Sequence, residues 1–156
     1  MIIRDLIAPD LFHGFFETLT SLTDVGFNID NPESMTKACE IYRRRLVSGI
    51  LTYVAVLFPS IIPGTDGELI IGTVTLLLDE KFIHGGSLVM HIEDVAVHKA
   101  HQGKHIGQDL IRYAIQQATN RGAYKIILNC TEQLIPYYQK LGFHNHGFCL
   151  RLNTKS

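Results

Sequence analysis

Three features of the sequence predict a mixed α+β fold. Apolar residues recur every three to four positions in some stretches and run in β-branched blocks in others. The earlier blocks follow one another through turn residues, as antiparallel hairpins do. In the last third, strand, helix and strand alternate, which implies a parallel pair joined by a right-handed crossover. The predicted order is β-α-α-β-β-β-α-β-α-β, a mixed central sheet flanked by helices. It forms a single domain over residues 1–156, with no linker and no internal repeat.

Taken in order, Ile2 to Ile7 is a short first strand. Pro9-Asp10 opens a helix with Leu11, Phe12, Phe15, Phe16, Leu19 and Leu22 on one face. After a loop from Thr23 to Asp30, Asn31-Pro32 supplies an N-cap and a proline at the first helical position. Met35, Ala38, Cys39, Tyr42 and Leu46 form the stripe of that second helix, which Gly49 stops. Arg43-Arg44-Arg45 reads as a solvated basic face on it. Ile50 to Phe58 and Leu69 to Leu78 are buried antiparallel strands, separated by Pro59, Pro63, Gly64 and a Thr65-Asp66-Gly67 turn. Gly85-Gly86 precedes a strand from Leu88 to Val97. A polar stretch, His98 to Gly107, leads to a helix with Leu110, Ile111, Ala114, Ile115 and Ala118 on one face, ended by Gly122. Tyr124 to Cys130 is a strand, Thr131 caps a short helix through Leu141, and His144 to Asn153 is a final strand.

Composition narrows the function. Fourteen Lys plus Arg stand against 15 Asp plus Glu, a net charge of −1, so there is no polycationic field for nucleic acid or an anionic membrane. With 46% hydrophobic and 19% charged residues the chain is globular rather than disordered. The longest apolar run, Ile50 to Phe58, falls short of the roughly 20 residues of a membrane span. Met1 to Asp5 lacks the basic start of a signal peptide, and the three cysteines (Cys39, Cys130, Cys149) have no CxxC spacing. Reduced thiols and a cytoplasmic location are therefore expected, and without export the Asn129-Cys130-Thr131 sequon carries no meaning.

Chemistry concentrates between Ile92 and Gly107. A strand, Ile92-Glu93-Asp94-Val95-Ala96-Val97, runs into a polar loop and then a helix. Successive backbone N–H groups in such a loop, aimed by a helix N-terminus, form a nest for a pyrophosphate, and Gly103 and Gly107 permit close approach. The stretch matches neither the Walker nor the dinucleotide GxGxxG pattern. In its position after the strand it resembles the coenzyme A loop of the GNAT acetyltransferases. That family's pattern, Gln/Arg-x-x-Gly-x-Gly/Ala, is met by Gln102-Gly103-Lys104-His105-Ile106-Gly107, with His105 replacing the first glycine.

Further motifs are similar to those of the branch of this family that acetylates amino-sugar phosphates. They are Leu22-Thr23-Asp24-Val25-Gly26, Glu80-Lys81-Phe82-Ile83-His84, His91 to Val97, Gly122 to Leu128, and Tyr137-Tyr138-Gln139-Lys140-Leu141-Gly142-Phe143. The resemblance implies transfer of the acetyl group of acetyl-CoA to the 2-amino group of glucosamine 6-phosphate. In that reading Asp94, Val95, Ala96 and Val97 hold acetyl-CoA through the backbone, and the loop from Gln102 through Lys104, His105 and Ile106 to Gly107 holds its pyrophosphate. Tyr138 meets the departing thiolate. Glu93 and Asp94 contact the sugar, Asn129 orients its nitrogen, and Thr23, Lys81, Phe82, Ile83 and His84 contact the sugar phosphate or frame its pocket. Tyr124 and Lys125 help to close the site of a neighbouring subunit in an intertwined homodimer.

Three departures from the pattern stand out. Asn129 occupies a position where the family has a carboxylate, and an amide accepts a hydrogen bond but cannot act as a base. Leu134 replaces an asparagine that contacts the coenzyme. The phosphate-gripping arginine near the C-terminus has only Arg151 as a candidate. Each functional residue also has a plainer reading: Tyr138 as a packing tyrosine, Lys81 and His84 as surface residues. Of Glu93 and Asp94, neighbours in a strand that must face opposite ways, at most one points inward without a partner. His98, His101 and His105, like His144 and His146, have spacings compatible with zinc, yet they fall in a loop without a cysteine partner, and no metal is expected. Two other functions fit the residues: acetylation of another small amine or peptide N-terminus, and non-catalytic binding of acetyl-CoA.

Overall fold

The computed structural model describes residues 1–58 and 67–154. The proposed turn at Pro59, Pro63, Gly64, Thr65 and Asp66 lies outside them. Five strands form one sheet in sequence order: β1 (Ile2–Asp5), β2 (Leu51–Leu57), β3 (Leu69–Glu80), β4 (Leu88–Val97) and β5 (Lys125–Leu128). The first four pair antiparallel, and β4 pairs parallel with β5. The helices are α1 (Phe15–Leu19), α2 (Pro32–Val47), α3 (Ile106–Asn120) and α4 (Ile135–Gln139).

Alternation along the strands divides the interior in two. Tyr53, Ala55, Val74, Leu76, Met90 and Ile92 point towards α3, whose Leu110, Ile111, Ala114 and Ala118 complete one core. Val54, Val56 and Ile70 point the other way, onto Phe15 and Phe16 of α1 and Met35 and Ala38 of α2. Both sheet faces are thus covered, which is why β2 and β3 read as continuous apolar runs rather than alternating ones.

The helix signals at Asn31-Pro32 are realised: the Asn31 side chain accepts from the Ser34 N–H at 3.0 Å, and Pro32 begins α2. The helix expected from Pro9 is broken. A 3-10 turn over Ala8–Phe12 precedes Gly14, whose φ of +90° interrupts the path before α1 begins. Asp10 is buried and bound by both Arg4 amino groups at 2.7 and 2.9 Å, which ties this turn to β1. Leu46 is exposed, so the stripe on α2 ends at Tyr42.

Two other expectations are corrected. His144 to Asn153 makes no strand, and Phe148, Leu150 and Leu152 are almost fully exposed, because a strand requires a neighbour and none of the described residues pairs with it. The basic triplet on α2 is not uniformly solvated. Arg43 and Arg44 are exposed, whereas Arg45 is half-buried and bonded to the sheet.

Candidate active site

The sheet brings two chemically distinct regions together along β4. At its C-terminal end, the Gln102 side chain turns back to donate to the Val97 carbonyl at 3.1 Å, closing the loop after the strand. Gly103 takes φ +77° and His105 takes φ +62°. The second value is a left-handed conformation that a residue with a Cβ adopts at a cost of about 1–2 kcal/mol. It sits where the family pattern has glycine. His105 is also the N-cap of α3, and its side chain makes no capping hydrogen bond. The first N–H groups of the 15-residue α3 therefore face outward without an intrahelical acceptor.

A pocket of about 320 Å³ opens over them, lined among others by Val97, Gln102, Gly103, His105, Gly107 and Tyr137. Lys104, in the same loop, donates to the Ala100 carbonyl at 3.4 Å. Burial, with Lys104 and His98 nearby, holds the His101 imidazole below its ordinary pKa. A cradle of free amides at the positive end of a helix dipole beside a lysine suits a pyrophosphate. Gly107 has a separate reason to be glycine: a Cβ there would lie 2.8 Å from the Tyr137 hydroxyl.

The second region is a gap between β4 and β5. Their ladder ends at Ile92↔Leu128, one residue before Glu93 and Asn129. On the other side of β4, Thr75 pairs with Glu93 and Thr73 with Ala96, so two residues, Asp94 and Val95, oppose the single Val74. Asp94 accommodates this bulge at φ +50°. The bulge breaks the alternation expected for Glu93 and Asp94 and turns the strand from β5. It leaves Glu93 half-buried and Asp94, Asn129 and Cys130 exposed at the opening. Backbone groups of the strand beyond Ile92 have no β5 partner and face this gap.

Tyr138 lies under the opening on α4. It is buried in the α3-side core, edge-on to Tyr137 at 5.2 Å and to Phe143 at 5.9 Å between centroids. Burial pushes its phenol up to about 12, with smaller contributions from Tyr137 and Cys130. Tyr137, adjacent in sequence and not singled out there, is the tyrosine that lines the loop pocket. The paired aromatics were its only signal.

Most of the other predicted residues lie towards the opposite end of β4. Lys81 is ion-paired with Asp79, which also faces His91 Nε2 at 3.3 Å. Lys81 first and His91 second hold the Asp79 carboxyl below its ordinary pKa. Phe82 and Ile83 are exposed, His84 packs on Tyr124 at 5.6 Å, and Lys125 stands 5.4 Å over the same ring. Five strand residues, about 16 Å at the usual rise, separate Leu88 at this end from Glu93. His84, Tyr124 and Lys125 meet one another at this end, whereas the Lys81–Asp79 pair reaches back along the strand to His91, two residues from Glu93 and on the same face. Thr23 is exposed in the α1–α2 connection, where Asp24 accepts from the Gly26 N–H. Arg151 lies in the C-terminal extension, where its Nε donates to Asn153 Oδ1, and Leu134 is exposed before α4. Among the described residues no three His, Cys, Asp or Glu side chains converge as a metal-binding group, and no helix is long and apolar enough to cross a membrane.

Comparison with known proteins agrees with this geometry. Residues 34–143 match the acetyltransferase (GNAT) family. The glucosamine 6-phosphate N-acetyltransferase of Candida albicans is 30% identical over 144 residues, 92% of this chain and 89% of that protein. The enzyme of the same name from Trypanosoma brucei brucei is 39% identical over 84 residues, 54% of this chain and 57% of its own length. The matched stretch thus spans little more than half of that relative. A crystal structure of a Trypanosoma brucei acetyltransferase superposes with a TM-score of 0.84 at 33% identity, covering 97% of this chain and 98% of that one.

Proposed function

We propose, from the premise that the chain belongs to the GNAT acetyltransferase family, that it transfers the acetyl group of acetyl-CoA to the 2-amino group of D-glucosamine 6-phosphate. The products are N-acetylglucosamine 6-phosphate and CoA, and the transfer is a direct attack in a ternary complex, carried out in the cytoplasm by a single domain. The observation that carries the reading is the alignment of two features on one strand: the amide cradle after Val97 and the β4–β5 gap flanked by Glu93 and Asn129. A coenzyme with its pyrophosphate on the cradle would lay its thioester along the unpaired backbone of residues 94–97. The name and coverage of the Candida albicans relative support the acceptor.

The amine of an amino sugar is less basic than lysine, because neighbouring hydroxyls withdraw electrons, so a neutral fraction is available to attack. Glu93 accepts the released proton through water, and Asn129 accepts a hydrogen bond from the nitrogen. A backbone N–H of the bulged strand polarises the thioester oxygen. Tyr138 donates a hydrogen bond to the departing sulfur. A phenol at about 12 is too weak an acid to surrender its proton to a thiolate of ordinary pKa near 8.5, so its role is stabilisation rather than full proton transfer.

The separation of His84, Tyr124 and Lys125 from Glu93 supports a homodimer in which these residues serve the partner's site. Phe148, Leu150 and Leu152, alternating along an extended segment and exposed, supply apolar surface for that association. The test follows free thiol released from acetyl-CoA with glucosamine 6-phosphate and with glucosamine. Rapid release with the phosphorylated sugar is expected. Release only with a different amine would move the acceptor, and coenzyme binding without turnover would favour the non-catalytic reading that Asn129 suggests.

A further inference from the structure

A coenzyme with a pyrophosphate would bring several negative charges into the loop pocket, yet no lysine or arginine among the described residues lines it. Around its volume of about 320 Å³ the titratable groups are His101, His105 and Tyr137. Burial pushes the Tyr137 phenol up, so it stays uncharged near neutral pH. Burial first, then Lys104 and His98, holds the His101 imidazole down and disfavours its charged form. Of the described lining residues, His105 is thus the one placed to bring a positive charge.

His105 is also the residue of the loop with least structural reason to be as it is. Its backbone holds φ +62°, a conformation that a Cβ disfavours. Its ring is exposed, caps no amide of α3, and makes no hydrogen bond or ion pair with a described residue. Strain of this kind collects at ligand-binding sites. Ile106, Gly107 and Gln108, the first residues of α3, line the same pocket, so His105 stands at the edge of the amide cradle. The charged groups about it are few. Lys104, its neighbour in the loop, donates to the Ala100 carbonyl at 3.4 Å. Asp109, in the first turn of α3, accepts from Arg112 at 3.5 Å. Glu17 of α1 faces His98 at 3.2 Å, and α4 presents the uncharged Tyr137.

We propose that His105 holds the coenzyme's pyrophosphate as an imidazolium, which makes acetyl-CoA binding by this chain a proton-linked step. An imidazole ordinarily changes charge between about pH 5 and pH 8. When charged, the ring adds a charge-assisted hydrogen bond to those of the backbone amides. The glycine of the family pattern supplies an amide only, so the linkage belongs to this chain and not to the loop as such. A bound anion favours the charged ring. Its contribution is therefore complete at acid pH and is lost as pH rises through the titration of the ring in the complex.

This inference rests on the coenzyme reading of the loop, and the experiment separates the two. Acetyl-CoA binding is measured by calorimetry at about pH 6, 7 and 8, in pairs of buffers of different ionisation enthalpy, which counts the protons taken up. The variants are His105→Asn, which keeps a residue type tolerant of left-handed backbone, His105→Lys and His101→Gln. The 3′-phosphate of the coenzyme titrates in the same range, but its contribution is common to all of them. Wild type should take up more protons than His105→Asn, and its affinity relative to that variant should rise about threefold to tenfold between pH 8 and pH 6. His105→Lys should show the tighter binding at every pH without the extra uptake, and His101→Gln should retain the uptake. Equal uptake in wild type and His105→Asn, or loss of uptake in His101→Gln, would overturn the assignment and leave the coenzyme site in place. Failure of wild type to bind acetyl-CoA at any pH would remove the coenzyme reading and this inference with it.

Discussion

Tyr138 is a packed core residue to which we also assign a catalytic role. Its ring is held edge-on by Tyr137 and Phe143, and its phenol is pushed from the ordinary 10 to about 12 by burial. Removing the hydroxyl alone should keep the packing and remove the hydrogen bond to sulfur. Tyr138→Phe is expected to lower kcat by about 10²–10³ while KM stays close to wild type, read by steady-state kinetics. Wild-type kcat would leave Tyr138 as core only. The same shift has a sign for stability. The folded state holds the proton more tightly than the unfolded one, so the Tyr138 contribution is intact below about pH 10 and is lost as pH rises towards 12. Denaturant titrations across that window should show wild type losing stability more steeply than Tyr138→Phe. At this scale the sequence was only partly legible. The motif around Tyr138 could be read, whereas the contact of Arg45 with the sheet was hidden, because three consecutive arginines on a helix point some 100° apart and their order does not reveal which one meets the sheet.

Among the elements, the β4–loop–α3 unit was readable because each part has a local cause: a β-branched strand, glycines at the turn and an apolar stripe at helical spacing. The conformation of the loop is what makes the cradle, and Gly103 at φ +77° is its least replaceable point. A Cβ there meets nothing within 4 Å, so the penalty of Gly103→Val is backbone strain rather than a clash. That strain is about 1–3 kcal/mol, and the exposed loop would relieve it by rearranging. Calorimetry should then show weakened acetyl-CoA binding in a variant with a nearly unchanged melting temperature; unchanged affinity would remove the loop from the coenzyme site. The bulge at Asp94-Val95 could not be read in advance. Nothing in Glu93-Asp94-Val95 marks an extra residue, because a bulge is defined by the register of β3 against it. The break at Gly14 was missed for a related reason, since the apolar spacing on both sides continues across it.

At the scale of the whole molecule, the instructive discrepancy is the segment from His144 to Asn153. Its alternation of Phe148, Leu150 and Leu152 with Cys149, Arg151 and Asn153 has the period of a strand, and that local signal is real. Strand formation also needs a neighbour to take its hydrogen bonds, and among the described residues there is none. Local pattern and isolated fold are reconciled if the partner is a second copy, which would also bring His84, Tyr124 and Lys125 towards a site they do not reach in their own chain. Covering the three apolar side chains would contribute about 1.5–3 kcal/mol each. Deleting residues 144–156 should therefore leave the two cores intact, with unchanged far-ultraviolet circular dichroism, and convert a dimer to a monomer in sedimentation. The truncated protein should still bind acetyl-CoA, because the cradle lies wholly within one chain, while turnover of glucosamine 6-phosphate falls by at least about tenfold through loss of the partner's contacts. A full-length protein that sediments as a monomer, or a truncation with full activity, would show that the extension serves neither association nor the site.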